Sequence, residues 1–188
     1  MKNRIVFMLL ITLVFSTGLW AQGSGQDFFK TIGLVYTIST AHGDNKSVTQ
    51  SMGLTANFFV FSNENLGYYI NPGIGLRMKQ GAQDLENMDM YFGAVFGPAF
   101  RIHDGGKVDI LAGIGPDILC IVHLGEFANE TFNSTKTSLG IGLGGSIEGR
   151  LKLYNNIAFT GGILMKYNFA PYQEDRTFIA SPYIGVGF

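Results

Sequence analysis

The chain has 188 residues, of which 46% are hydrophobic and only 14% charged, with 26 glycines and a formal net charge of −1. High apolar content with low charge excludes a disordered chain, glycine without a Gly-X-Y period excludes collagen, and near-neutral charge excludes a basic nucleic-acid binder. One cysteine, Cys120, and three histidines, His42, His103 and His123, exclude a disulfide framework and a cysteine-based zinc cluster, so no metal or other cofactor is expected.

The first segment reads as an address. Lys2 and Arg4 give a short positive start, residues 5–15 are almost unbroken in apolar character, and small Ala21 offers a cleavage position. The apolar run is shorter than the ~20 residues that span a bilayer as a helix. Residues 1–21 are therefore expected to be a cleaved signal peptide, and residues 22–188 a single exported domain. No later stretch is long and apolar enough to be a transmembrane helix.

From there on the chain alternates with a period of two, the signature of strands. Strands are expected at 28–40, 49–61, 67–79, 88–102, 107–123, 137–153, 157–170 and 177–188. Every even position from Met88 to Ile102 is apolar, as is the series Val108, Ile110, Ala112, Ile114, Pro116, Ile118, Cys120 and Val122. These strands are much longer than the usual ~5–6 residues of a soluble sheet and long enough for the ~9–11 that cross a bilayer.

Connections alternate in length. Residues 62–66, 103–106 and 154–156 are short and rich in Asn, Asp and Gly, as tight turns require. Residues 41–48, 80–87, 124–136 and 171–176 are mostly longer and polar.

The face opposite the apolar one is dominated by glycine, including Gly33, Gly53, Gly75, Gly93, Gly97, Gly113, Gly115, Gly142, Gly144, Gly162, Gly185 and Gly187. Water would favour Lys, Glu and Thr on an exposed face. A narrow lumen accounts for the pattern, because eight strands leave a bore just wide enough for side chains. On the apolar face Phe28, Tyr68, Phe100, Phe159 and Phe188 lie near the turn end. Tyr36, Phe92, Tyr167 and Phe178 lie near the loop end, with aliphatic residues between. Two aromatic girdles around a lipid band are the pattern of transmembrane barrels. The expected fold is all-β: a transmembrane, antiparallel, up-and-down β-barrel of eight strands. Pro72, Pro98, Pro116 and Pro182 fall inside strands on the lipid face, where bulges are expected to tolerate them.

The final strand ends in Phe188, preceded on the same face by Val186, Ile184, Pro182, Ala180 and Phe178. This ending resembles the C-terminal signature of bacterial outer-membrane barrels. The size is similar to the small eight-stranded kind, OmpA/OmpX-like or OmpW-like. The resemblance implies residence in the bacterial outer membrane, contact with its lipid, and recognition of Phe188, Val186 and Ile184 by the barrel-assembly machinery. A monomer is expected.

The inward face also carries a charge set: Arg77, Asp89, Arg101, Asp109, Asp117, Glu148, Arg150 and Lys166, with Lys79, Lys107 and Lys152. Hairpin register sets Arg77 near Asp89 and Arg101 opposite Asp109. Buried charges must pair or cost several kcal/mol each, so an interlocking plug is favoured over a small-solute pore. Val35, Leu119 and Ile121 are apolar inward residues near the loop end that a conduit for small hydrophobic molecules would need. The expected role is structural or porin-like. One alternative is surface adhesion through the loops, chiefly 124–136 with Phe127 and Phe132. The other is a lipid A-modifying enzyme using His42, Asp44 and Ser47, with His123 near the third long loop. Acid–base chemistry needs such groups within hydrogen-bond reach, but none of the local motifs of those enzymes is present, and no enzymatic activity is expected.

Overall fold

A computed structural model describes residues 27–42, 48–78, 88–123, 137–154, 156–169 and 176–188. The proposed signal peptide lies outside the described residues. Eight strands follow one another: β1 (Asp27–His42), β2 (Val48–Phe61), β3 (Leu66–Met78), β4 (Met88–Asp104), β5 (Val108–His123), β6 (Thr137–Lys152), β7 (Ala158–Asn168) and β8 (Arg176–Gly187). Each pairs antiparallel with its sequence neighbours, and β8 returns to β1, closing an up-and-down barrel. At the seam the backbones of Lys30 and Phe188 exchange two hydrogen bonds, of 3.1 and 2.9 Å.

Alternation decides which face is which. On β1, Thr31, Gly33, Val35, Thr37 and Ser39 are buried, while Ile32, Leu34, Tyr36 and Ile38 are exposed. Met52 is 70% exposed and its neighbour Ser51 is 7%. The core of this molecule is therefore its lumen, and its exterior is a continuous apolar belt. Soluble monomers rarely expose apolar patches beyond a few hundred Å². A closed barrel with an apolar outside is the one sheet structure that satisfies every backbone group within hydrocarbon.

Both expected girdles face outward. Phe28 stacks on Phe58 at the turn end, with ring centroids 6.3 Å apart, and Lys30 Nζ lies 4.8 Å from the Phe28 ring. At the loop end Tyr167 meets Phe169 edge to face at 5.4 Å.

Inward glycines make room for large neighbours. A Cβ on Gly113 would sit on the Tyr69 ring, one on Gly75 on the Tyr91 ring, and one on Gly187 within 2.5 Å of the Arg150 guanidinium. The turns behave as their residues dictate. Asn63 Oδ1 accepts the backbone N–H groups of Asn65 and Leu66, at 3.1 and 2.7 Å. Asn156 takes a φ of 64°, a left-handed conformation that Asn tolerates.

The expected bulges at the prolines are not present. The β2–β3 ladder pairs Thr55 with Gly73 and resumes, in the same register, at Phe58 with Ile70. The gap surrounds Pro72, whose missing N–H leaves the carbonyl of Ala56 without its ladder donor. Asn71 Nδ2 donates to that carbonyl instead, at 3.0 Å. The β4–β5 ladder likewise skips residues 96–98 opposite 114–116, where Pro98 and Pro116 lie, and the β8–β1 ladder skips Pro182, both without a shift. The register shift of β4 on β5 falls elsewhere, between Arg101 and His103, where Ile102 is the extra residue.

Candidate functional site

Among the described residues the lumen is where polar side chains gather, and it has three levels. At the turn end lies a floor. Phe59, Phe61, Tyr69 and Leu111 are buried almost completely. Phe59 packs on Tyr69 at 5.0 Å and Phe29 meets Phe61 edge to face at 5.8 Å. The Arg101 guanidinium lies between Phe29 and Phe61, 5.1 and 4.6 Å from their ring centroids. It bonds Asp27 at 2.7 Å and Asp104 at 3.0 Å. Arg150 covers the Phe29 ring at 5.0 Å. Lys152 bonds Asp109 at 2.8 Å and reaches Asp104 at 3.5 Å. Aromatic rings and paired charges thus fill this end.

The middle level is a hydrogen-bond network around Glu148, which is fully buried. One carboxylate oxygen accepts from Thr31 at 2.6 Å and from Arg150 at 3.2 Å. The other accepts from Asn57 Nδ2 at 2.6 Å and from the Tyr183 hydroxyl at 2.9 Å. Asn57 Oδ1 in turn accepts from Asn71 Nδ2 at 2.6 Å. A buried carboxylate holds its charge only with such partners, and a fully satisfied network is rigid.

Above it, towards the loop end, is a cup of about 90 Å³. Its lining includes the hydroxyls of Thr37, Ser39, Ser51 and Ser181, with Val35 and Ile179 on strands β1 and β8, and Leu119, Ile121 and Leu164 from β5 and β7. Thr37 and Ser181 are 2.8 Å apart, and Ser39 hydrogen-bonds Thr49. Arg77, Tyr91, Lys166, Asn71 and Asn168 complete the lining. Lys166 Nζ is held by Asp117 at 2.7 Å. Val35, Leu119 and Ile121 all face inward, and Leu164 and Ile179 join them.

The charge set divides among these levels. Arg77 stands directly across the ladder from Asp89 at the loop end. Asp117 and Lys166 pair between cup and centre, and Glu148 and Arg150 pair in the centre. Arg101 does not face Asp109, as hairpin register predicted. The shift at Ile102 sets Arg101 opposite Leu111 and Asp104 opposite Asp109. Arg101 turns instead to Asp27 and Asp104, and Asp109 is served by Lys152 from β6. Lys107 is exposed in the turn, and Lys79 lies outside the described residues.

The floor aromatics were not foreseen, although Phe58, Phe59, Val60 and Phe61 signal them: a strand apolar on both faces must bury both. Ile184, Val186 and Phe188 face outward at the seam, each at least half exposed. Asp44, Ser47 and the 124–136 loop lie outside the described residues, and only the backbones of His42 and His123 are described. Among the described residues no group of three or more His, Cys, Asp or Glu could hold a metal ion.

No protein-family model matches the sequence, and no curated protein matches it. Solved structures do resemble the fold. Neisserial surface protein A aligns over 87% of this chain and 98% of its own, with 11% identity and a TM-score of 0.62. The outer membrane protein OprG from Pseudomonas aeruginosa aligns over 86% of this chain and 94% of its own, with 15% identity and a TM-score of 0.55. The chain therefore has the fold of the small eight-stranded outer-membrane barrels, and its apolar exterior is built for hydrocarbon.

Proposed function

We propose that this protein is a monomeric, integral component of a bacterial outer membrane, with a structural role and no through-pore. The observation that carries the reading is the floor. Phe29, Phe59, Phe61 and Tyr69, clamped by Arg101 and Arg150, occupy the bore at the turn end. A solute entering at the loop end meets the Glu148 network and then these rings. Moving them would draw Arg150 away from the fully buried Glu148, and breaking a buried pair costs about 3–5 kcal/mol. The lipid of the membrane is the partner of the outer belt. The barrel-assembly machinery is the proposed reader of Ile184, Val186 and Phe188.

Planar-bilayer recording tests the absence of a pore. The folded protein is expected to give no reproducible conductance steps. Steps that change on Arg77→Ala would overturn the reading in favour of solute passage. The proposed role is also non-enzymatic: lipid A from cells making the protein should keep its acylation pattern by mass spectrometry. A change abolished by His42→Ala would show the contrary.

A further inference from the structure

We infer that Lys30 is a docking point on the outer wall for the phosphate of an anionic phospholipid, in the leaflet at the turn end. The inference rests on membrane residence and deepens it by naming a headgroup contact. It is independent of whether the bore is closed.

Three observations carry it. The first is isolation. Thr31 is buried in the lumen, so alternation turns Lys30 outward with Phe28 and Ile32. Of the outward-facing strand residues whose side chains are described, Lys30 alone is a Lys, Arg, Asp or Glu. Its ammonium lies on the Phe28 ring, 4.8 Å from the centroid, and among the described residues no carboxylate pairs with it. A cation on a hydrocarbon-facing wall is costly without a counter-ion. The wall offers none, so the counter-ion comes from the membrane.

The second is direction. Lys30 is the fourth residue of β1. Its side chain runs back over Phe28, two positions nearer the start of the strand, and therefore towards the turn end. Long cationic side chains near the end of a spanning segment bring their charge to the headgroup layer in this way. Short turns face the periplasm in bacterial barrels, so the layer reached is that of the periplasmic leaflet.

The third is the frame. Phe58 stands directly across the β1–β2 ladder from Lys30. Phe188 stands across the seam, where its backbone exchanges two hydrogen bonds with that of Lys30. Phe28 is stacked on Phe58 at 6.3 Å. Three outward rings thus neighbour Lys30, which is half-buried among them. An ammonium packed on a ring face gives up water on that side, and a less hydrated cation attracts an anion more strongly. Its three N–H donors suit the oxygens of a phosphate. A zwitterionic headgroup carries an ammonium of its own to offset its phosphate, whereas an anionic one brings an unmatched negative charge.

The test places the full barrel in nanodiscs of phosphatidylcholine with a rising share of phosphatidylglycerol at fixed ionic strength. NMR reads the amide signals of Phe28, Lys30 and Phe58. Saturable shifts at these amides are expected at a low share of phosphatidylglycerol. Lys30→Gln should raise the share needed for half-saturation about fivefold, since one cation at a membrane surface is worth about 1 kcal/mol. Lys30→Arg should restore it. Lys107→Gln removes the same charge from an exposed position in a turn at the same end, and should leave half-saturation unchanged. Heat-shifted gel migration checks folding of each variant. The same check on the unaltered protein reports on membrane residence separately, so the two readings fail distinguishably. No saturable response of the folded, unaltered barrel overturns the proposal. So do equal losses for Lys30→Gln and Lys107→Gln, which would mark a general surface potential. Equal shifts on adding inorganic phosphate to phosphatidylcholine discs overturn it too, in favour of a site for the free anion.

Discussion

Glu148 shows how much of this lumen depends on single side chains. It sits among Thr31, Asn57, Tyr183 and Arg150, and each of its carboxylate oxygens accepts two hydrogen bonds. Arg150 is 4% exposed, and among the described residues no other carboxylate lies as near to it. Glu148→Gln keeps the shape but removes the counter-charge and offers donors where acceptors are needed. Leaving one member of a buried pair uncompensated costs about 3 kcal/mol or more. Urea unfolding of the barrel in detergent should show a loss of that size. Arg150→Leu combined with Glu148→Leu should lose less than either single change, because removing both partners leaves no charge unpaired. Equal losses for the single and the double change would mean the network is not acting as a unit.

At the scale of the strand, the β4–β5 pair is the distinctive element. Pro98 and Pro116 remove two ladder donors within a few residues. Gly97 and Gly115 form the middle of their gap, and a Cβ on Gly97 would collide with the backbone carbonyl of Ile114, one on Gly115 with that of Phe96. The strands approach closely there because neither residue has a side chain. Gly97→Ala should therefore force them apart and cost about 1–3 kcal/mol, as overpacking does. Gly140→Ala, with ordinary clearance, should be close to neutral. Thermal unfolding of the two variants side by side checks the contrast, and equal stabilities would remove the close-approach argument.

The alternation that defines these strands is legible in the sequence because one face must meet hydrocarbon and the other a crowded bore. The inward glycines were readable for the same reason. Other features were not. The partner of Arg101 moved two positions, from Asp109 to Leu111, and a shift of two leaves no mark on a period-two pattern that both registers satisfy. Proline tolerance was misread as bulging because the sequence cannot show that Asn71 reaches back to the Ala56 carbonyl. The floor was hidden by Phe58–Phe59–Val60–Phe61, where alternation is lost and no side is marked as inward. For the cup, Val35, Leu119 and Ile121 were identifiable by parity.

At the scale of the molecule, two surfaces of opposite kind are built from one repeating pattern. Outside, residues such as Leu34, Met52 and Ile141 are more than half exposed; inside, Asp117 and Glu148 have no exposure at all. This inversion of the soluble plan predicts behaviour as a whole body. In mild detergent the unheated protein should migrate differently on a gel from the boiled protein, because the hydrogen-bonded cylinder resists the detergent that opens a soluble sheet. Identical migration, together with full solubility in plain buffer, would contradict a membrane barrel.

The seam between β1 and β8 has a consequence in time. The first strand made has the last one as its partner, and the Lys30–Phe188 bonds are among those that join them. Until β8 exists, β1 is an open edge, a row of unpaired donors and acceptors beside a strongly apolar face, and such edges recruit other chains. No partial barrel escapes this, since every incomplete sheet has two of them. Folding as a single late event is therefore expected, slowed by contacts as distant in sequence as those of the seam. Closure and membrane entry then become one step, because only the closed form can leave water without stranding its backbone.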